Sequence, residues 1–130
     1  MFRGLHQHLI DDKGRLAFPA ELRGTLAAMG ASDGFVLTRS LYDPCLVGLT
    51  EADFLAAAQK VRGLPDSNPA LMEYKRVFIA SSCVVSIDRA GRVCVPRELR
   101  AYAGLDRDAL WAGLIDKFEL WDKARWDQLD

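Results

Sequence analysis

One segment of the chain occurs twice. Asp11-Asp12-Lys13-Gly14-Arg15-Leu16-Ala17-Phe18-Pro19-Ala20-Glu21-Leu22-Arg23 returns 77 residues later as Asp88-Arg89-Ala90-Gly91-Arg92-Val93-Cys94-Val95-Pro96-Arg97-Glu98-Leu99-Arg100, with seven of 13 positions identical. A turn, a strand and a helix start repeated in register imply two copies of one supersecondary unit, too few for a solenoid. Two such copies in one chain predict packing about a pseudo-two-fold axis. They would then present two similar basic turns.

The bulk of the sequence narrows the class. At 130 residues and half apolar, the chain can bury a core without disulfides. Three cysteines (Cys45, Cys83 and Cys94), with no Cys-x-x-Cys spacing, argue against a disulfide framework or a zinc site and for a reducing compartment. No apolar run reaches the ~20 residues of a membrane span, and the N-terminus does not read as a signal peptide. The net charge of −1 disfavours a non-specific nucleic-acid coater. That charge is unevenly spread. Residues 72–102 hold six Lys/Arg against three Asp/Glu, and residues 103–130 hold four against seven. The basic stretch carries the second copy of the repeat.

Alternation predicts a strand over 3–10, with His6, His8 and Ile10 on one side and Leu5, Gln7 and Leu9 on the other. Asp11–Gly14 is turn chemistry, followed by a strand over 15–18 and a helix over 20–28 that opens after Pro19. The turn is expected to close a β-hairpin between these two strands. Strands over 35–38 and 45–49 follow, then a helix capped by Thr50 that runs to Arg62 and is closed by Gly63. Asn68-Pro69 opens a helix over 70–78. The second copy repeats the pattern: strand 83–87, turn 88–91, strand 92–95, helix 96–103 stopped by Gly104, hairpin 110–121, and a last helix capped by Asp122. Leu46, Leu49, Thr50 and Phe54 correspond to Phe118, Trp121, Asp122 and Trp126. The fold class is therefore α+β, with a mostly β core and short peripheral helices. Residues 1–62 are the first repeat, 63–79 a linker and connecting helix, and 80–130 the second repeat.

Each turn sets an Asp and an Arg across a tight bend, where the carboxylate can order the turn and hold the guanidinium fork. Arg15 and Arg92, flanked by Lys13 and Arg89, would project from a two-stranded element suited to a DNA groove or backbone. The plain alternative is a pair of exposed ion pairs contributing about 0–1 kcal/mol each. His6 and His8 share a strand face but lack a third ligand, so no metal site is expected. The cysteines read as small core residues, and Trp111, Trp121 and Trp126 as core fillers rather than base-stacking platforms. No phosphate loop and no acid–base or nucleophile constellation occurs, so no enzyme activity, cofactor or small-molecule substrate is expected.

Met1-Phe2-Arg3-Gly4, the doubled Asp-x-x-Gly-Arg-x-x-x-Pro, Leu99-Arg100-Ala101-Tyr102-Ala103-Gly104-Leu105 and Phe118-Glu119-Leu120-Trp121 together resemble the MraZ family over essentially the whole chain. These are bacterial transcriptional regulators of the division and cell-wall gene cluster, built from two AbrB/SpoVT-type swapped-hairpin units. The resemblance implies a cytoplasmic, nucleoid-associated, ring-shaped homo-oligomer that binds direct repeats in double-stranded DNA upstream of its own operon. It makes Arg15 and Arg92 the DNA-contacting members. Arg3, Lys13 and Arg89 are expected to contact DNA beside them, and Asp11, Gly14, Asp88 and Gly91 to order the turns. Asp12 stands where a small residue is usual, and Ala90 where a polar one is common. Lys13 favours the first turn as the stronger contact. The competing reading is a protein-interaction or antitoxin-like scaffold module of the same fold.

Overall fold

The computed structural model describes residues 1–129. Eight strands and five helices follow in the order β1 (Leu5–Leu9), β2 (Arg15–Ala17), α1 (Ala20–Ala28), β3 (Gly34–Arg39), β4 (Leu46–Leu49), α2 (Glu51–Val61), α3 (Pro69–Tyr74), β5 (Cys83–Ser86), β6 (Arg92–Cys94), α4 (Arg97–Ala103), β7 (Asp108–Gly113), β8 (Phe118–Asp122) and α5 (Lys123–Asp127). A π-helical segment, Lys75–Ile79, extends α3. The helix starts follow local chemistry. Thr50, Asn68 and Asp122 each accept a hydrogen bond from a backbone N–H of the first turn they cap. Pro19 and Pro96 precede α1 and α4 without a side-chain cap.

The strands form a six-stranded antiparallel sheet in the order β1-β7-β8-β4-β3-β5 and a separate two-stranded ribbon, β2-β6. Both arrangements record the repeat. In the ribbon Leu16 lies opposite Val93, its own equivalent in the other copy, and in the sheet Val47 lies opposite Glu119, likewise its equivalent. A two-fold axis between antiparallel strands requires such self-pairing. The hydrogen bonds flanking the ribbon obey it too: Phe18 N–H donates to Gly91 C=O and Val95 N–H to Gly14 C=O, both at 2.8 Å.

The expected hairpin between β1 and β2 does not form. The Asp11 turn closes with two backbone bonds, Asp11 N–H to Arg15 C=O at 2.9 Å and Gly14 N–H to Asp11 C=O at 3.0 Å, and the chain then separates into two layers. β1 pairs with β7 and β2 with β6; in the second copy β5 pairs with β3. Each motif turn thus joins a strand of the large sheet to a strand of the ribbon, and each copy gives its first strands to the other. This is the swapped arrangement that the family resemblance implies. The reason is burial. Leu16, Phe18, Val93 and Val95 must face apolar partners, and the ribbon lays all four onto the inner face of the sheet.

The main core fills that gap. Phe18, Phe35, Trp111 and Phe118 meet with ring centroids 4.9–6.2 Å apart, closed by Leu22 and Leu26 of α1 and Leu99 and Ala103 of α4. The Trp111 indole N–H donates to Ala17 C=O at 3.0 Å and ties sheet to ribbon. A smaller cluster lies on the other side of β3 and β4, where Phe78 stacks between Phe54 and Tyr74 above Val36, Val47 and Leu49. Trp126 of α5 packs on Trp121. Two tryptophans are core, as expected, whereas Trp126 stays half-exposed. Of the cysteines, Cys45 is buried and Cys83 partly so. Cys94 corrects the expectation of a core residue: it is exposed, because alternation along β6 sends Val93 and Val95 inward and leaves Cys94 outward.

Candidate nucleic-acid interface

The ribbon presents one face to the core and the other to solvent. With Leu16 and Val93 turned inward, the outward positions are Arg15 and Ala17 on β2 and Arg92 and Cys94 on β6. Arg15 pairs with Cys94 and Ala17 with Arg92, so the two arginines occupy diagonal corners. Such diagonal positions lie on the order of 7 Å apart. Their guanidinium arms remain 43 % and 46 % exposed. Lys13 and Arg89, both exposed, extend the basic face at the two ends of the ribbon.

Each turn is organised by its aspartate. Asp11 Oδ1 accepts the backbone N–H of Lys13 and of Arg15, both at 2.9 Å, while Oδ2 accepts the Arg15 Nε–H at 2.8 Å. Asp88 Oδ1 accepts the N–H of Ala90 and of Arg92 at 2.9 Å, and its other oxygen lies 3.5 Å from Arg92 Nε. The Arg15 backbone bond chiefly holds the Asp11 carboxyl below the usual carboxylate range, and the Arg92 backbone bond does the same for Asp88. The carboxylates stay charged and fix the Nε side of each guanidinium, which leaves the Nη groups for an outside acceptor. Gly14 and Gly91 complete the bends with φ of +87° and +76°.

The glycines expose a difference between the turns. A Cβ on Gly14 would lie 2.5 Å from Val95 O and 2.8 Å from Arg100 Nε, whereas one on Gly91 would meet nothing closer than Arg23 Nη1 at 3.6 Å. Arg100 donates from Nε to Val95 C=O at 3.0 Å and from Nη1 to Asp12 C=O at 3.3 Å. Arg23 and Arg100 are the last identical pair of the repeat, and sequence reasoning assigned neither a role. Their shared identity in a motif otherwise explained by turn and helix chemistry was the available signal.

Arg3 is not brought to this face at the first turn. It lies at the opposite end of β1 from Asp11, across five strand residues and so about 17 Å of chain. Near it, Met1 C=O accepts from the Thr25 hydroxyl, and His6 Nε2 sits 3.3 Å from Glu21 Oε2 of α1. His6 therefore packs toward α1, and His8 shares the inward side of β1 with it. Among the described residues no group of three or more His, Cys, Asp or Glu side chains could hold a metal ion. No helix among them is long and apolar enough to cross a membrane.

Fold and site together define a class: an α+β protein of two interleaved AbrB/SpoVT-like repeats that shows a pair of aspartate-ordered arginines on a shared ribbon. Comparison with known proteins narrows it further. Residues 78–130 match the family described as "MraZ protein, putative antitoxin-like". Proteins called transcriptional regulator MraZ are similar over nearly the whole chain. The one from Limosilactobacillus fermentum is 39 % identical over 97 % of this chain and 84 % of its own length. That from Roseiflexus castenholzii is 38 % identical over 99 % and 86 %, and that from Thermomicrobium roseum 41 % over 97 % and 84 %. The chain belongs to the MraZ family.

Proposed function

We propose that this protein is a sequence-specific DNA-binding transcriptional regulator, not an enzyme, acting in the cytoplasm on the nucleoid. It binds direct repeats upstream of its own operon, in the division and cell-wall gene cluster, as a ring-shaped homo-oligomer. The observation that carries the reading is the outward face of the β2–β6 ribbon, where Arg15 and Arg92 stand at diagonal corners with Lys13 and Arg89 beyond them. Relatives called transcriptional regulators over nearly the full chain support it. A narrow two-stranded ribbon fits a major groove about 12 Å wide, and an Arg fork suits the paired acceptors of guanine. Arg3 joins as a peripheral phosphate contact. Residues 1–62 and 80–130 act as the two DNA-presenting units, joined by 63–79.

The ring follows from charge. One protomer has five candidate basic contacts and a net charge of −1. Few phosphate contacts make single-site binding weak, and the salt dependence becomes steep only when the contacts of several protomers add. Specific operators are typically held at about 10⁻⁸–10⁻¹¹ M, and linking modules raises avidity by about 10²–10⁴. Direct repeats suit head-to-tail neighbours that present the ribbon in one sense.

The test is binding to duplexes from the region upstream of the gene, carrying one, two or three repeats, at several salt concentrations. Light scattering gives the subunit number. Steeply salt-dependent affinity that rises with repeat number is expected. A folded protein with no preference for that DNA over scrambled duplex would overturn the DNA reading and favour the protein-interaction scaffold. A monomer that binds one repeat as tightly as three would overturn the ring.

A further inference from the structure

The two motif turns are anchored to different degrees, and the difference comes from the opposite repeat. Three successive carbonyls of the first turn each meet a donor from the second repeat. Asp12 C=O accepts Arg100 Nη1–H at 3.3 Å, Lys13 C=O the Cys94 S–H at 3.4 Å, and Gly14 C=O the Val95 N–H at 2.8 Å. The matching carbonyls of the second turn are those of Arg89, Ala90 and Gly91. The repeat places Arg23, Ala17 and Phe18 opposite them. Phe18 N–H donates to Gly91 C=O at 2.8 Å, but Ala17 has no side-chain donor. Among the described residues the Arg23 guanidinium makes no hydrogen bond or ion pair, and the residue bonds only through its backbone N–H, to Pro19 C=O at 2.9 Å. Gly14 is accordingly buried and Gly91 half-exposed.

We propose that Arg100 is a positioning residue for DNA binding: by clamping the Asp12 and Val95 carbonyls from the second repeat, it pre-sets the first turn as the rigid reading element. The second turn, lacking the clamp, adapts its shape on the DNA. This rests on the DNA-binding reading above. The physical basis is pre-organisation. A loop already held in its bound geometry loses less conformational freedom on binding, so more of its contact energy appears as affinity. Arg100 suits the task because its planar fork spans two carbonyls from one side chain, which a single ammonium cannot do in the same geometry. The clamp acts on backbone and so leaves Lys13 and Arg15 free to face outward.

Two independent readouts test it. Amide hydrogen exchange on the full-length protein without DNA addresses the clamp alone. Arg100→Ala and Arg100→Lys should each speed exchange at Lys13, Gly14 and Arg15 about tenfold or more while leaving Ala90, Gly91 and Arg92 unchanged. Arg23→Ala should change neither turn. Unaltered exchange at the first turn in folded Arg100→Lys protein would overturn the proposal whatever the DNA result. Cys94→Ala, which removes one carbonyl's donor and leaves the guanidinium in place, should give a smaller change in the same amides. If Arg100→Ala fails to fold, the Lys and Cys94 variants carry the test.

The second readout is affinity for the upstream duplex over a salt series. As a positioning residue, Arg100 should be replaced no better by Lys than by Ala, and its effect should largely vanish in an Arg15→Ala background. Full rescue by Lys, with a salt slope lowered by about one unit in Arg100→Ala alone, would identify a direct phosphate contact and overturn the positioning role. If wild-type protein does not bind the duplex, the DNA reading fails by itself and the exchange data still decide whether the clamp exists.

Discussion

The Asp11–Arg15 turn is docked along its backbone against the opposite repeat, whereas the Asp88–Arg92 turn is held there at a single carbonyl. Inside the turns the two are near copies: the same aspartate bonds two amides, the same glycine bends the chain, and the same arginine leans on the carboxylate. Even there the first is tighter, with 2.8 Å between carboxylate and Nε against 3.5 Å. Local sequence therefore makes a turn, and its surroundings decide how rigid the turn is. In a duplicated fold those surroundings are supplied by the other copy, so a change outside the turn itself, such as Cys94 in one copy for Ala17 in the other, gives one turn a different mechanical character.

The sharpest way to break this contrast is to add a methyl group to each glycine. Gly14→Ala combines positive-φ strain with a clash against Val95 O and Arg100, for a loss of about 3 kcal/mol in stability. Gly91→Ala carries the strain alone, about 1 kcal/mol. Denaturant unfolding of both variants measures the gap. Equal losses would mean that the first turn relaxes as freely as the second.

Arginine truncation compares the turns as DNA contacts. Arg15→Ala is expected to weaken operator binding by about 1–3 kcal/mol per site and to relax base preference. Arg92→Ala should cost less, since its turn reaches the DNA with more freedom to lose. Titration of wild-type and variant proteins against matched and mismatched duplexes gives both numbers. A larger loss for Arg92 would reverse the ranking.

Removing Lys13 or Arg89 should reduce the salt slope by about one unit per protomer without altering base preference, because a flexible ammonium or an unbraced guanidinium at the ribbon's end meets phosphate. A change in base preference would move that residue from the backbone to the base edges.

The smallest effect is with pH. Asp11 and Asp88 have carboxyls held below their ordinary value in the folded protein, so each contributes stability that is present above the unfolded value of about pH 4 and is lost as pH falls through the lower native value. Both groups are solvent-accessible, so the contribution is small. The stability of wild type relative to an Asp11→Asn, Asp88→Asn double variant should shrink below about pH 4 and be flat above pH 5. A difference that grows on acidification would mean the carboxylates oppose the turns.

Much of this molecule was legible in its sequence because its cues are local. Helix α1 runs over Ala20–Ala28 as the pattern from Pro19 predicts, and Thr50, Asn68 and Asp122 cap where their side chains can reach free amides. Alternation separates the two faces of β1 and gives the inward positions of both motif strands, but not that His6 and His8, rather than Leu5 and Leu9, take the inner face of β1. The repeat pointed to the four ribbon cations that the fold brings together. Arg3, expected to join them, lies outside the repeated motif, has no local cue of this kind and sits at the far end of β1.

Other features had no local cue. A turn of Asp, Gly and Arg with strands on either side reads the same whether those strands pair with each other or with a distant copy. The choice falls to the swapped pairing because only that buries Leu16, Phe18, Val93 and Val95 between ribbon and sheet. The same ambiguity hid Cys94, whose apolar setting in sequence gave no hint of which face of β6 it would take. It hid Arg100, whose partners at Asp12 and Val95 are 88 and five residues away. Sequence by itself determined two capped, patterned half-folds with an aspartate-ordered arginine in each, since caps, bends and alternation act over a few bonds. Tertiary structure alone decided that the halves exchange strands, that the two arginines share one surface, and that the first turn is clamped while the second is not. Each of those depends on which distant groups meet, and burial of the shared core selects the meeting.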